Sequence, residues 1–203
     1  MKKIAPTLKN EIINTAIDIA QDTSWEKVRL IDIAKALNID LNTIRYFFAE
    51  KEQIIDGCFD RADEAMLNAC SRPKFDLLTA KEKLHDLLMT WLSTFEGQQK
   101  VIRQMIFHKL EPGHLHLQLP AIKRISQTVQ WWREAAGLRE TFIQRAIQET
   151  GLTIIYLATF SYWLLDNSTE HLATRLFLEN KLNIAKNLSN FWGFTYYAPS
   201  KIS

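Results

Sequence analysis

Between Val28 and Phe48 the chain reads VRLIDIAKALNIDLNTIRYFF, and this stretch decides the fold. Val28, Ile31, Ile33, Ala34 and Leu37 recur at the spacing of one helical face, with Ser24 ahead of them as a helix-capping residue. Asn38 ends that helix, because Asn tolerates the left-handed backbone found at helix C-termini. Asp40 then stands where an N-cap belongs for a short helix over Leu41 to Phe48. A helix over residues 7–21 precedes the pair, with Leu8, Ile12, Ala16, Ile19 and Ala20 on one face and Pro6 and Thr7 as start signals. Two short helices joined at Asn38-Ile39-Asp40, behind a longer one, make a helix-turn-helix.

The rest of the chain extends the helical pattern. A fourth helix is expected from Lys51 to Cys70, with a boundary at Ser71-Arg72-Pro73. A fifth runs from Thr79 to Phe95, with Leu84, Leu87, Leu88, Trp91, Leu92 and Phe95 inward, and Glu96-Gly97 ends it. A sixth covers Gln98 to Leu110, and a seventh runs from Pro120 to Ala136, closed by Gly137. The last two, from Glu140 to Leu165 and from Thr169 to Phe191, form a hairpin about Asp166-Asn167-Ser168. The expected fold is all-α with about nine helices. Its expected organisation is a head over residues 1–50, a helical ligand-binding and dimerisation body over 51–193 and a tail over 194–203.

Composition agrees with this. In 203 residues there are only 6 Gly and 5 Pro, too few for the turns of an all-β fold, and 47% hydrophobic content suffices for a sizeable core. Cys58 and Cys70 stand twelve apart on one expected helix, roughly 18 Å, beyond disulfide reach. With no signal-peptide pattern at Met1-Lys2-Lys3, the expected location is a reducing cytoplasm. The uncharged run Gly151 to Leu165 is shorter than the roughly 20 residues that span a bilayer and reads as a buried core helix. Net charge is +2. Residues 1–60 hold eight Lys/Arg (Lys2, Lys3, Lys9, Lys27, Arg29, Lys35, Arg45, Lys51) against ten Asp/Glu, an acidic balance for a nucleic-acid-binding head.

In a helix-turn-helix the N-terminal residues of the second helix meet base edges in the major groove. Here these are Leu41, Asn42, Thr43 and Arg45. Arg45 suits guanine or a phosphate, Asn42 suits adenine, and the Thr43 methyl suits thymine. Tyr46 and Lys51 stand where a hydroxyl and an ammonium would grip backbone phosphate. The segments Ile31 to Ile39 and Asn42 to Glu52, with their Ile-Ala pair, the aromatic run Tyr46-Phe47-Phe48 and Lys51-Glu52, resemble the head of TetR-family regulators. The resemblance implies DNA contacts by Thr43, Arg45, Tyr46 and Lys51. Asp40-Leu41 departs from that family's usual Ser-Lys or Ser-x, since a carboxylate facing phosphate is unfavourable unless it is occupied in capping its own helix.

The body carries a second resemblance. Trp131-Trp132-Arg133, Ala136-Gly137, Ile155-Tyr156, Thr159, Asp166-Asn167-Ser168 and the run Thr174 to Asn180 resemble the ubiquinone-biosynthesis accessory proteins that bind isoprenoid lipids on a TetR-like fold. This implies a long apolar ligand within residues 120–188. Trp91, Phe107, Trp132, Tyr156 and Phe160 are expected to line its cavity. Phe191, Trp192, Phe194, Tyr196 and Tyr197 read as packing residues or as a weak interfacial anchor for a membrane.

Enzyme chemistry has little foothold. No Gly-rich phosphate loop, nucleophile elbow or Cys-x-x-Cys is present, so no cofactor is expected. His108, His114 and His116 lack the cysteines of a metal site and read as structural or solvated. The expected protein is a non-enzymatic, homodimeric regulator, acting as a repressor on a palindromic double-stranded operator and answering to an apolar small-molecule or lipid effector. Dimerisation is expected through the last two helices. The alternative is a lipid-binding protein of the same fold that assists ubiquinone biosynthesis at a membrane without binding DNA.

Overall fold

The computed structural model describes residues 4–110, 115–139 and 142–191, and every regular element among them is helical. In chain order these are α1 (Ile4–Asp22), α2 (Leu30–Ala36), α3 (Leu41–Phe47), α4 (Glu52–Ala69), α5 (Ala80–Ser93), α6 (Gln99–Leu110), α7 (Leu115–Ala135), α8 (Phe142–Trp163) and α9 (Leu172–Phe191). They fall into two compact units. The first holds residues 1–61 and 95–121, the second residues 62–94 and 122–203. α6 thus belongs with the helix-turn-helix in space, although some fifty residues separate them in sequence.

In the first unit α1 is the central helix, and it packs on α2, on α6 and on the 3₁₀ turn Trp25–Lys27. Ile12, Ala16 and Ala20 face inward as their spacing predicts, while Leu8 and Ile19 are only half-buried. Ile13 and Ile17 are buried as well, because α1 is covered on two sides. Around it gather Trp25, Val28, Ile33, Ala34, Ile44, Phe48, Ile54, Ile55, Val101, Ile102 and Met105. Gly57 sets the approach of α4 to α1. A Cβ there would lie 2.9 Å from Ile13 Cδ1 and 3.2 Å from Phe48 Cε1, so any side chain would force the neighbours aside.

Two local expectations change here. Ser24 does not cap α2: it precedes the 3₁₀ turn without a side-chain cap bond, and α2 starts at Leu30 behind Arg29. Ile31 consequently points outward rather than joining the buried stripe. The turn intervenes because Trp25 is drawn into the core, at 1% exposure, and this reorients the chain before α2 begins.

In the second unit α5 packs against α8 and α9, and α8 and α9 pair with each other. α5 opens with a capping box, in which Thr79 and Glu82 each satisfy the other's backbone N–H. Its Leu84, Leu87, Leu88, Trp91 and Leu92 are buried as expected. α7, whose residues up to Ala121 belong to the first unit and the rest to the second, begins at Leu115, earlier than Pro120 suggested, and keeps that proline within the helix. It ends in a Schellman motif. Gly137 has φ +79, its N–H bonds Glu134 O at 2.9 Å, and Leu138 N–H bonds Arg133 O at 3.3 Å.

α8 is not the wholly buried helix that its composition suggested. Leu152, Ile155, Tyr156, Thr159, Phe160 and Trp163 face inward, but Ile154 is 63% and Leu165, just beyond the helix, 67% exposed. The sequence stretch is apolar all round, and one chain covers only one side of it. No helix among the described residues is long and apolar enough to cross a membrane.

Candidate nucleic-acid interface and apolar interior

The turn of the helix-turn-helix is built by backbone chemistry. Asn38 takes φ 53, Asn38 N–H bonds Lys35 O at 3.2 Å, and Ile39 N–H bonds Ala34 O at 3.0 Å, a complete Schellman closure of α2. Asp40 then caps α3, its carboxylate accepting the Thr43 N–H at 2.6 Å. Hydrogen bonds from the Thr43 N–H and hydroxyl, with a lesser one from the Asn42 N–H, hold the Asp40 carboxyl below its ordinary range. The carboxylate is thus occupied in capping its own helix.

On α3, Ile44 is fully buried and anchors the helix, which turns Asn42, Arg45 and Tyr46 outward. Tyr46 is 82% exposed and meets Phe47 edge to face, with ring centroids 5.1 Å apart. Thr43 is half-buried behind the cap. Arg29, just ahead of α2, and Asp32 on that helix form a two-point ion pair at 2.8 and 2.9 Å.

Lys51 is placed differently from the exposed residues of α3. Its ammonium donates to Trp25 O at 3.2 Å and to Glu26 O at 3.3 Å, and lies 5.3 Å from the Trp25 ring centroid. Next to it, α6 ties onto α4: His108 Nε2 stands 3.1 Å from Glu52, and Lys109 pairs with Asp56. Burial would raise the Glu52 pKa, but the His108 hydrogen bond, a bond from the Glu52 backbone N–H and the His108 and Lys51 charges together outweigh it and lower it. His108 is thereby a partner of a carboxylate. His114 lies outside the described residues, and nothing is described of the His116 side chain. No cluster of three or more His, Cys, Asp or Glu suited to a metal exists among the described residues.

In the second unit the structure brings together three of the five expected ligand-lining residues. Trp91 meets Tyr156 at 5.3 Å and Phe160 at 5.4 Å between ring centroids, and Trp163 stacks on Phe160 at 6.2 Å. Trp132 is fully buried elsewhere in that core, its indole N–H donating to Leu84 O at 2.9 Å. Phe107 has to be withdrawn from the set. It is 72% exposed on α6 in the first unit, on the side of the helix opposite the buried Val101, Ile102 and Met105.

A polar cluster at this core escaped sequence reasoning. Asp63 accepts from Trp91 Nε1 at 2.7 Å and from Thr128 Oγ1 at 3.0 Å, with Arg124 at 3.4 Å. Burial, together with the Asp63 charge, pushes the Tyr156 phenol pKa upward. The available signal was Trp91 itself, since a buried indole N–H needs an acceptor. The C-terminal aromatics Trp192, Phe194, Tyr196 and Tyr197 lie outside the described residues, and nothing is described of the Phe191 side chain.

A crystallised TetR transcriptional regulator of Nitrosomonas europaea is 47% identical in sequence. It superposes with a TM-score of 0.79 over 89% of this chain and 98% of its own. The chain belongs to the TetR family. A second TetR regulator, from Rhodococcus sp. RHA1, shares the fold at 13% identity, with a TM-score of 0.65 over 91% of this chain and 97% of its own. The COQ9 family model matches residues 141–189, the α8–α9 hairpin of this TetR-family chain. A curated ATP-dependent RNA helicase of Eremothecium gossypii is 33% identical over 98 residues. That match covers 44% of this chain and 17% of the helicase.

Proposed function

We propose that this protein is a homodimeric, DNA-binding transcriptional regulator whose body binds an apolar effector. The observation that carries the reading is the state of the reading end. Asp40 is engaged with its own helix, while Asn42, Arg45 and Tyr46 are exposed on the same short helix. Arg45 reads guanine or phosphate, Asn42 adenine and Tyr46 phosphate, with Thr43 against a thymine methyl. The Trp91–Tyr156–Phe160 core, with Trp132 elsewhere in the same unit, is the region we assign to the effector, which acts as it binds the DNA-competent and DNA-incompetent states unequally. Repression is the expected output.

The dimer reading is supported by the outer side of α8. Ile143, Ile147 and Ile154, continued by Leu165, fall on one line along it and are all exposed. That line is self-complementary about Ile154. In an antiparallel pair Ile143 faces Leu165 of a second copy and Ile154 faces itself, while Ile147 faces Ser161 and Gly151 faces Leu157, so two large-on-large pairs alternate with two in which a large side chain opposes a small one. A Cβ at Gly151 would meet nothing within 4 Å in its own chain, so its small size answers no packing need there.

The test is DNA binding at graded salt, using duplex from upstream of the protein's own gene. Arg45→Ala is expected to weaken the specific complex by roughly 10- to 100-fold and to relax sequence preference. Absence of binding by the unmodified chain at low salt, with lipid found in the purified protein by mass spectrometry, favours the second reading. In that reading the chain is a lipid-binding protein assisting ubiquinone biosynthesis at a membrane, with support from the COQ9 match over residues 141–189.

A further inference from the structure

We infer that Lys51 is a positioning residue, a clasp that fixes the helix-turn-helix on α4 and α6, and that it makes no phosphate contact in the DNA complex. This rests on the regulator reading above. An ammonium has three donors. Here two go to the Trp25 and Glu26 carbonyls, at 3.2 and 3.3 Å, while the charge lies 5.3 Å from the Trp25 ring centroid.

Trp25 is gripped from the other side as well. Its backbone N–H donates to Gln104 Oε1 of α6 at 2.7 Å, and its ring is 1% exposed. The turn Trp25–Lys27 is therefore held both by the start of α4 and by α6. It leads directly into Val28, which is buried, and Arg29, the residue ahead of α2, so the seat of the turn sets the placement of α2. Through the Asn38 closure, α2 in turn aims α3. The pairs Glu52–His108 and Asp56–Lys109 continue the same seam between α4 and α6.

For Lys51 to reach a phosphate it would have to leave two carbonyls and an aromatic face, giving up a charge-assisted hydrogen bond to each of the two oxygens. Arg45 and Tyr46, exposed on α3, reach DNA without such a loss.

Lys51→Met keeps the alkyl stem over Trp25 and deletes the charge. Dissociation constants for the upstream duplex and for random-sequence duplex would be measured from about 50 to 200 mM salt, with thermal melting of the free protein alongside. The clasp predicts a roughly tenfold loss of affinity, the worth of about one charge-assisted hydrogen bond, at every salt concentration. The salt slope stays unchanged, the melting temperature falls, and a stability cycle with Trp25→Leu, which deletes the ring beside the ammonium, is non-additive. A slope shallower by about one, with melting unchanged, is the signature of a lost phosphate contact and overturns the proposal. If the unmodified chain binds no DNA, the regulator reading falls. The cycle then still decides the clasp, and additive losses overturn it.

Discussion

Two aspartates turn two corners of this chain by the same chemistry in different surroundings. Asp40 caps α3 through one backbone N–H, at 2.6 Å, and stays exposed. Asp166, at the corner between α8 and α9, is buried. It accepts Ser168 N–H at 2.8 Å, Thr174 N–H at 2.9 Å and the Thr174 hydroxyl at 2.5 Å. The first corner leaves a short helix with polar side chains facing water. The second joins two long helices that leave Ile154, Leu165, Leu172, Leu176 and Ile184 exposed. An exposed cap with polar neighbours suits a surface that meets a charged ligand. A buried cap beside an exposed apolar side suits a rigid frame that pairs with another helix.

The largest effect is expected where the α8 line meets its partner. Gly151→Arg has open space in its own chain and improves helix propensity, so the monomer should melt no lower and up to about 1 kcal/mol more stably. Dimer affinity should weaken by about a hundredfold, near 2.7 kcal/mol, as read by analytical ultracentrifugation. An unchanged mass distribution would remove the α8 line from the interface and with it one side of the comparison.

Next in size is the buried corner. Burial alone would raise the Asp166 pKa, but the bonds from Thr174 and Ser168 outweigh it and bring it to about 2. A carboxyl depressed on folding contributes stability that is complete above its unfolded value, near 3.8, and is lost as pH falls through about 2. Urea melts should therefore show stability falling between about pH 4 and pH 2, and this part of the fall should vanish in Asp166→Ala. That variant should lose about 1–3 kcal/mol at neutral pH, since two backbone N–H groups lose their acceptor. A pH profile identical to the unmodified chain would show that the corner does not depend on the charge.

The smallest effect sharpens the exposed corner. Asp40→Asn retains N-cap ability and removes a negative charge near the groove. DNA affinity at low salt should rise about threefold, as expected of one solvent-screened charge a few ångströms from phosphate, and the gain should fade as salt increases. Helix stability should hardly change. A loss of affinity would mean that the carboxylate acts on the DNA side rather than only on its own helix.

The two corners also differ in how much of them could be read in advance. Asp40 is legible because capping is local: the carboxylate serves an N–H three residues on, and Asn38 announces the preceding turn. The fifth helix was legible for the same reason, since Thr79, Glu82 and the leucine spacing lie within one element. Asp166 was recognisable only as part of a turn. Its partner Thr174 comes within reach because Glu170 and His171 both take φ 53, which neither residue type signals. Phe107 was misassigned because an aromatic at helical spacing carries no mark of which side its neighbours cover. Asp63 carries no local mark of its role, because its partners Trp91 and Thr128 lie 28 and 65 residues away in sequence.

What the residues determined by themselves was the helix-turn-helix: its turn at Asn38, its cap at Asp40, and the identity of the polar side chains on α3. Caps, turn geometry and hydrophobic period act over a few residues, so they survive without knowledge of the rest of the chain. What only the tertiary structure decided was occupation. It engaged the Asp40 carboxylate with Thr43, drew Lys51 onto the Trp25 turn, brought α6 beside the head, and left one side of α8 uncovered. Those outcomes depend on which distant groups meet, and the free energy of a charge or an apolar surface depends on what it meets.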